Sequence, residues 1–293
     1  MPRKLPLALL SLVTLLGVVL GATPAQAAPL PPAPLPAVDM TALTAAAQVE
    51  GYRGNQPGLG DDPSTRLVQE ALTARGFPVL ASGHFGRLTS AAYLNYQKSL
   101  GYKGLDANGM PGPSSLARLG QGRFVVTRVV QIGSRDDRYG TKRVNTRTKL
   151  MLAAADAKLP FSIRVSQGSY CILTTAGCAK ASGGTHDAGG AIDISVRGLT
   201  TTQRWQTVRA LRSVGFAAWY RLPSQCGGCW SAHIHAIAIG DTDLWQKNGR
   251  TTSRDQVADY YVGRNGLAGH GWDNTPTRYR STFTTWERFA GII

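Results

Sequence analysis

Acidic residues are scarce in this 293-residue chain: 17 Asp and Glu stand against 32 Lys and Arg, for a formal net charge of +15. Such an excess draws polyanions, whether nucleic acid, anionic lipid or an anionic cell wall. Long apolar runs are missing after Leu20, so no later segment is built to cross a bilayer and an integral membrane protein is excluded for the body of the chain. Cysteine is sparse, with four residues in two close pairs, and histidine is nearly as sparse, with five. What is present in ordinary amount is apolar residue, 43% of the chain, enough for a real core.

The first residues read as a leader. Arg3 and Lys4 precede an apolar stretch from Leu5 to Leu20, and Ala25-Gln26-Ala27 supplies small residues at a cleavage-type position. These are the parts of a secretory signal peptide, and the apolar stretch is shorter than the roughly 20 residues a spanning helix needs. Residues 1–27 are therefore expected to be removed, and export argues against nucleic acid as the partner. The wall, with its phosphates and carboxylates, suits both charge and address. Residues 28–45 open on Ala-Pro-Leu-Pro-Pro-Ala-Pro-Leu-Pro and read as a proline-rich linker.

Two units follow. Over 46–120 three short helices are predicted: Pro63–Arg75, with Leu67, Val68, Ala71 and Leu72 at helical spacing; Thr89–Leu100, with Ala92, Tyr93 and Tyr96; and Ser114–Leu119. Asp62 or Ser64 would cap the first, and Thr89 or Ser90 the second. Over 121–250 strands and helices alternate without a strict βαβ rhythm. Strand-like runs are Phe124–Ile132, Phe161–Val165, Ala191–Ile194, Phe216–Tyr220 and Ile234–Ile239. Helices are expected from Asn145 to Ala157 and from Thr201 to Ser213. The fold class is α+β, a small three-helix domain followed by an α+β domain with a short antiparallel sheet. A late helix, Ser253–Val262, lies in a C-terminal extension, 251–293, in which Tyr260, Tyr261 and Trp272 are expected to pack the extension down rather than line a cleft.

In an exported chain the cysteines should be oxidised. Four cysteines allow three pairings; the local one, Cys171 with Cys178 and Cys226 with Cys229, is preferred. The Cys226-Gly227-Gly228-Cys229 run also permits a redox pair, although Pro223 and the glycines read as loop, and a four-cysteine zinc site stays open.

Histidine chemistry concentrates in two places. His233 and His235 alternate in a strand, so both rings share one face with Ile237 and Ile239, while Ile234, Ala236 and Ala238 face the other way. Upstream, His186 and Asp193 flank a glycine pair in His186-Asp187-Ala188-Gly189-Gly190-Ala191-Ile192-Asp193. Two imidazoles and a carboxylate are the three-ligand set of a catalytic zinc with one open position, and one remaining histidine could serve as base.

The stretch 144–245 resembles the zinc D-Ala-D-Ala carboxypeptidase and dipeptidase superfamily, with its phage endolysins and penicillin-insensitive murein endopeptidases. Its first motif is matched by His186, Gly189, Ala191 and Asp193, and its second by His233-Ile234-His235. The resemblance implies that His186, Asp193 and His235 bind Zn2+ and that His233 is the general base. The family carries an arginine in a Ser-Gly-Tyr-Arg-like stretch upstream; here Arg164-Val165-Ser166-Gln167-Gly168-Ser169-Tyr170 has none in register, leaving Arg164, Gln167 and Ser169 as candidates for the substrate or oxyanion contact. The stretch from Leu67 through Gly83-His84-Phe85-Gly86 and Asp106-Ala107-Asn108-Gly109 to Leu116 resembles the three-helix peptidoglycan-binding domain of wall hydrolases. Together the likenesses imply a secreted, wall-associated, monomeric zinc peptidase acting on peptidoglycan stem peptides or cross-links. A non-catalytic wall-binding protein with a degenerate peptidase domain, and a zinc amidase of peptidoglycan, are the alternatives.

Overall fold

Alternation of Ile and Ala with histidine makes His233–Ala238 a strand whose two faces differ, and the largest sheet forms around it. The computed structural model describes residues 33–50, 62–173, 178, 184–243 and 252–292. In chain order the elements are β1 (Ala37–Asp39), α1 (Met40–Val49), α2 (Pro63–Ala74), α3 (Arg87–Ser99), α4 (Pro113–Gly120), β2 (Val125–Thr127), β3 (Asp137–Tyr139), β4 (Lys142–Val144), α5 (Thr146–Asp156), β5 (Val165–Gln167), β6 (Ala191–Ser195), α6 (Thr201–Ser213), β7 (Phe216–Arg221), β8 (His233–Ala238), α7 (Thr252–Tyr261) and α8 (Trp286–Phe289). Four strands form one antiparallel sheet in the order β5-β6-β8-β7. The pairs β1-β2, parallel, and β3-β4, antiparallel, stand apart. The fold is thus α+β with short, open sheets, and no described helix is long and apolar enough to cross a membrane.

The helical part forms as its caps and apolar spacing dictate. Asp62 caps α2 by accepting from the Ser64 amide at 3.0 Å, and Pro63 occupies the first turn. Helix α3 begins earlier than its Thr and Ser suggest. Gly86 is the N-cap with no side-chain bond, while Thr89 is buried inside the helix, where its hydroxyl accepts from Gln69 at 2.9 Å. Val68, Leu72, Phe85, Tyr93, Tyr96, Leu116 and Leu119 fill the core between the helices.

Residues 37–45, within the span that reads as linker, are instead strand β1 and most of the buried helix α1, which runs on to Val49. Asp39 caps α1, accepting from the amides of Thr41 and Ala42. The Ala- and Thr-rich stretch has weak amphipathicity because it is covered on several sides. Ala46 and Ala47 join the helical core and Val49 the core beneath the sheet. Leu35 onward clusters as one compact unit in which α1 lies between two cores. Gln48 bonds the Gly240 amide and the Asp241 carbonyl across this seam, and Asn108 bonds the Thr242 carbonyl.

Each face of the β5-β6-β8-β7 sheet buries a different apolar set. Ile192, Ile194, Ala218, Ile234, Ala236 and Ala238 meet α5 and α6 on one side. On the other, Ala191, Ala217, Trp219, Ile237 and Ile239 meet Val257 and Tyr260 of α7. The run Phe124–Ile132 is strand only over Val125–Thr127, because its partner β1 is three residues long. The C-terminal extension closes both sides. Tyr260 stands edge-on against Trp219 and Tyr261 edge-on against Phe283, so these two pack; Trp272 is exposed, with Arg264 over its ring. At the α6–β7 turn Gly215 adopts φ +102°, where a side chain would overlap the backbone of Thr285 and Trp286.

Both cysteine pairs are joined locally, Cys171 to Cys178 and Cys226 to Cys229, leaving no free cysteine among the described residues. The segment read as a leader, residues 1–27, lies outside the described residues.

A buried ion pair ties the extension to α5 and the end of β8. Arg147 of α5 donates from Nε and Nη2 to the two carboxylate oxygens of Glu287 at 2.8 and 3.0 Å, and from Nη2 to the Ile239 carbonyl at 2.8 Å, with both side chains buried. Removing one partner of a buried pair strands the other charge. Glu287→Ala should therefore lower stability by about 3–5 kcal/mol, while a double replacement of Arg147 and Glu287 by Met and Leu should lose clearly less. Denaturant unfolding of the three proteins checks both.

Candidate metal centre

The sheet register decides which side chains meet. Gln167 pairs with Asp193, Asp193 with His235, and His235 with Trp219, so one row across the sheet reads Gln167, Asp193, His235, Trp219. Partners directly opposite one another point to the same face. The next row reads Ser195, His233, Arg221. Both rows open on the α7 side of the sheet.

His186 reaches this row from the loop before β6. That loop is laced to the segment ahead of it: the Tyr170 and Cys171 amides donate to the Ala188 and His186 carbonyls. Its glycines are required by contact. A Cβ on Gly189 would lie 2.8 Å from the Tyr170 hydroxyl and from Asp243 Cβ, and Gly190 sits at φ +82° against Asp241. Behind it, the Tyr170 hydroxyl donates to Asp243 at 2.8 Å, Asn145 donates to Asp241 at 2.7 Å, and Arg135 clamps Asp243 from Nε and Nη2, both at 2.6 Å. Burial and the neighbouring Asp243 push the Asp241 carboxyl up to about 6.

Three ligand-type atoms converge on this row. His186 places Nε2 3.3 Å from Asp193 Oδ1, and His235 places Nδ1 2.8 Å from the same oxygen. His186, Asp193 and His235 form a group whose ligating atoms all lie within 4.8 Å of one another. Zinc–nitrogen and zinc–oxygen bonds near 2.0–2.2 Å at tetrahedral angles put ligand atoms roughly 3.4 Å apart, so little adjustment is needed. His186 is oriented from behind, with Nδ1 2.8 Å from the Gly168 carbonyl, which fixes Nε2 as the lone-pair nitrogen facing Asp193. His235 Nε2 is buried without a hydrogen-bond partner.

The electrostatics suit a cation. Burial opposes the Asp193 carboxylate, but His186 and His235 outweigh it by charge and hydrogen bonding, and its pKa is strongly depressed. Burial holds the His235 imidazole neutral, down to about 4, against the pull of Asp193. For His186, burial disfavours the charged ring, and Asp193 together with the Gly168 carbonyl more than compensates, so its pKa is raised. A largely enclosed carboxylate held between two histidine rings is a natural cation ligand. Metal-ligating capacity is therefore built into these residues.

The other named candidates separate. His233 lies at the edge of the group, with Nε2 3.8 Å from Asp193 Oδ1 and Nδ1 2.7 Å from the Ser231 carbonyl; its ring is turned so that Nε2 faces the site. Gln167 is buried and lines the cavity over the centre. Ser169 does not reach it, because its hydroxyl donates to the Ala191 carbonyl at 2.6 Å. Arg164 is exposed and absent from the cavity wall. Asp187 is half-buried in the turn. The cavity, about 80 Å³, is also lined by Thr185, Arg221, Trp230, Gln256 and Leu267. Arg221 is the residue that sequence reasoning missed. Alternation along Phe216–Tyr220 puts Ala217, Trp219 and Arg221 on one face, but only the register sets Arg221 beside His233. Gln256 and Leu267 come from the extension, where no motif marks them.

No family model matches the chain, and no curated protein matches it.

His186→Ala, Asp193→Ala and His235→Ala should each abolish binding of a divalent metal ion such as zinc by this centre, because three ligands leave no spare. His233→Ala should retain it. Metal analysis of the four purified variants decides, and retention of a full equivalent in any of the first three would remove that residue from the centre.

Proposed function

We propose that this chain is a zinc-dependent peptidase of peptidoglycan, exported to the wall and cutting stem peptides or cross-links. The observation that carries this reading is the convergence of His186 Nε2, Asp193 Oδ1 and His235 Nδ1 at one end of a cavity, with His233 Nε2 on its rim. A zinc ion held by the first three would supply Lewis acidity, polarising a peptide carbonyl and activating water.

The chain's own residues supply the remainder. His233 holds its Nδ1 on the Ser231 carbonyl, which leaves Nε2 as the basic nitrogen, able to take a proton from water and return it to the leaving amine. Its partial exposure leaves room for that water, whereas His235 is enclosed. Trp219 lies nearly parallel to the His235 ring, with the planes 14° apart, and encloses it on that side, which favours the ligand role for His235. Trp230, edge-on to His233, walls the open side. The positive charge and the two disulfides suit a protein that works outside the cell against an anionic wall. The helical part over 46–120 is, in this reading, the wall-binding part.

His233→Ala should keep zinc and lose turnover by a factor on the order of 10²–10⁴, the usual worth of a positioned base. Zinc content and mass spectra of muropeptides released from purified wall are measured together. Release of peptides cut between amino acids supports the reading. Cleavage at the sugar–peptide junction would make the protein an amidase, and a zinc-loaded wild type that releases nothing would make it a binding protein.

A further inference from the structure

Among the described residues that line the cavity over the metal centre, Arg221 is a fixed cation that nothing in the centre uses. Arg221 ends β7, directly across from His233, and its side chain is buried. Nη1 donates to the Asn265 carbonyl, and the guanidinium lies 5.0 Å from the Trp219 ring. Nη2 is buried and has no hydrogen-bond partner. A buried guanidinium nitrogen left without an acceptor is costly. Burial depresses the Arg221 pKa to about 10 even though Asp193, Asp273 and Asp259 favour its charge, so the group remains a cation at neutral pH.

The extension holds it there. The Arg264 carbonyl accepts from the Trp219 indole at 2.9 Å, the Asn265 carbonyl takes Nη1, and Gly266, at φ +66°, packs so closely that a Cβ would stand 3.0 Å from Trp219 and 3.2 Å from Arg221 Nη2. Leu267 and Gln256 continue this wall around the cavity. The cavity is about 80 Å³. It is open on one side and has room for a group of carboxylate size beside the metal centre.

We propose that Arg221, presented by the loop Arg264–Leu267, is the anchor for a free carboxylate of the substrate, so that the site removes a residue from a peptide end rather than cutting within a cross-link. The proposal rests on the peptidase reading and names its substrate class. Guanidinium and carboxylate pair through charge-assisted hydrogen bonds of fixed geometry. An oxyanion developing on the scissile carbonyl offers the same chemistry, so the test must separate the two.

Two probes of the whole, folded protein do so. Calorimetry of the metal-free wild type with N-acetyl-D-alanine and with its amide should show binding of the acid and on the order of 10²-fold weaker binding of the amide, with Arg221→Gln losing the difference. In the zinc-loaded protein, a peptide ending in D-Ala-D-Ala should be cleaved on the order of 10²-fold better than its C-terminal amide, and Arg221→Gln should erase that preference through KM with zinc content unchanged. Equal binding of acid and amide by the wild type overturns the proposal, and needs no variant. Loss of kcat on both peptides alike, with binding intact, assigns Arg221 to the oxyanion and overturns it too. If no peptide is cleaved at all, the peptidase reading fails, while the calorimetry still decides whether Arg221 binds a carboxylate.

Discussion

The pairing of β6 with β8 is the constraint on which the rest of the site depends. Asp193 stands opposite His235 and Ser195 opposite His233. A shift by one residue would turn every one of these side chains to the opposite face of the sheet. The register is fixed by apolar alternation on the same two strands: Ile192 and Ile194 with Ile234 and Ala236 go to one core, and Ala191 with Ile237 to the other. Burying each of these isoleucines is worth about 1.5–3 kcal/mol, so the polar row is held in place by the apolar residues that alternate with it. The charged group at the centre does not have to stabilise its own position.

Two supports then bring outside residues to that row. The glycine turn before β6 sits against Tyr170, Asp241 and Asp243, a buried polar cluster clamped by Arg135 and Asn145, and so delivers His186 with its Nδ1 already committed to Gly168. From the other side, the extension covers Trp219 and Arg221, and is itself tied back by Arg147 with Glu287 and by Arg212 with Asp273 at 2.9 Å. These buried ion pairs are costly to break and link distant parts of the chain to one sheet. The rigidity suits a metal centre, whose ligands must be held close to bonding geometry before the ion arrives.

Much of this was legible in the residues alone. Helix α6 runs over Thr201–Ser213 as its spacing predicts, with Thr200 and Gln203 forming a capping box. Asn145 caps α5, and His233 and His235 share a face with Ile237. Helix α1 was not legible, because Ala and Thr give no stripe when several sides are covered. Nor was the start of α3, where a bare glycine cap replaces the Thr and Ser that local chemistry favours.

The sequence by itself determined the ligand types and their local spacing: a histidine and a carboxylate around a glycine turn, two histidines at strand period, and two pairs of cysteines close enough to join. Those are short-range facts, governed by backbone geometry over a few residues. Only the tertiary structure decided that Ser169 is spent on a backbone carbonyl, that Arg164 is left outside, and that Arg221, Gln256 and Leu267 complete the cavity. These depend on strand register and on a C-terminal segment folding back across the sheet, and side chains far apart in the chain meet only when buried apolar surface fixes which strands pair and in what order.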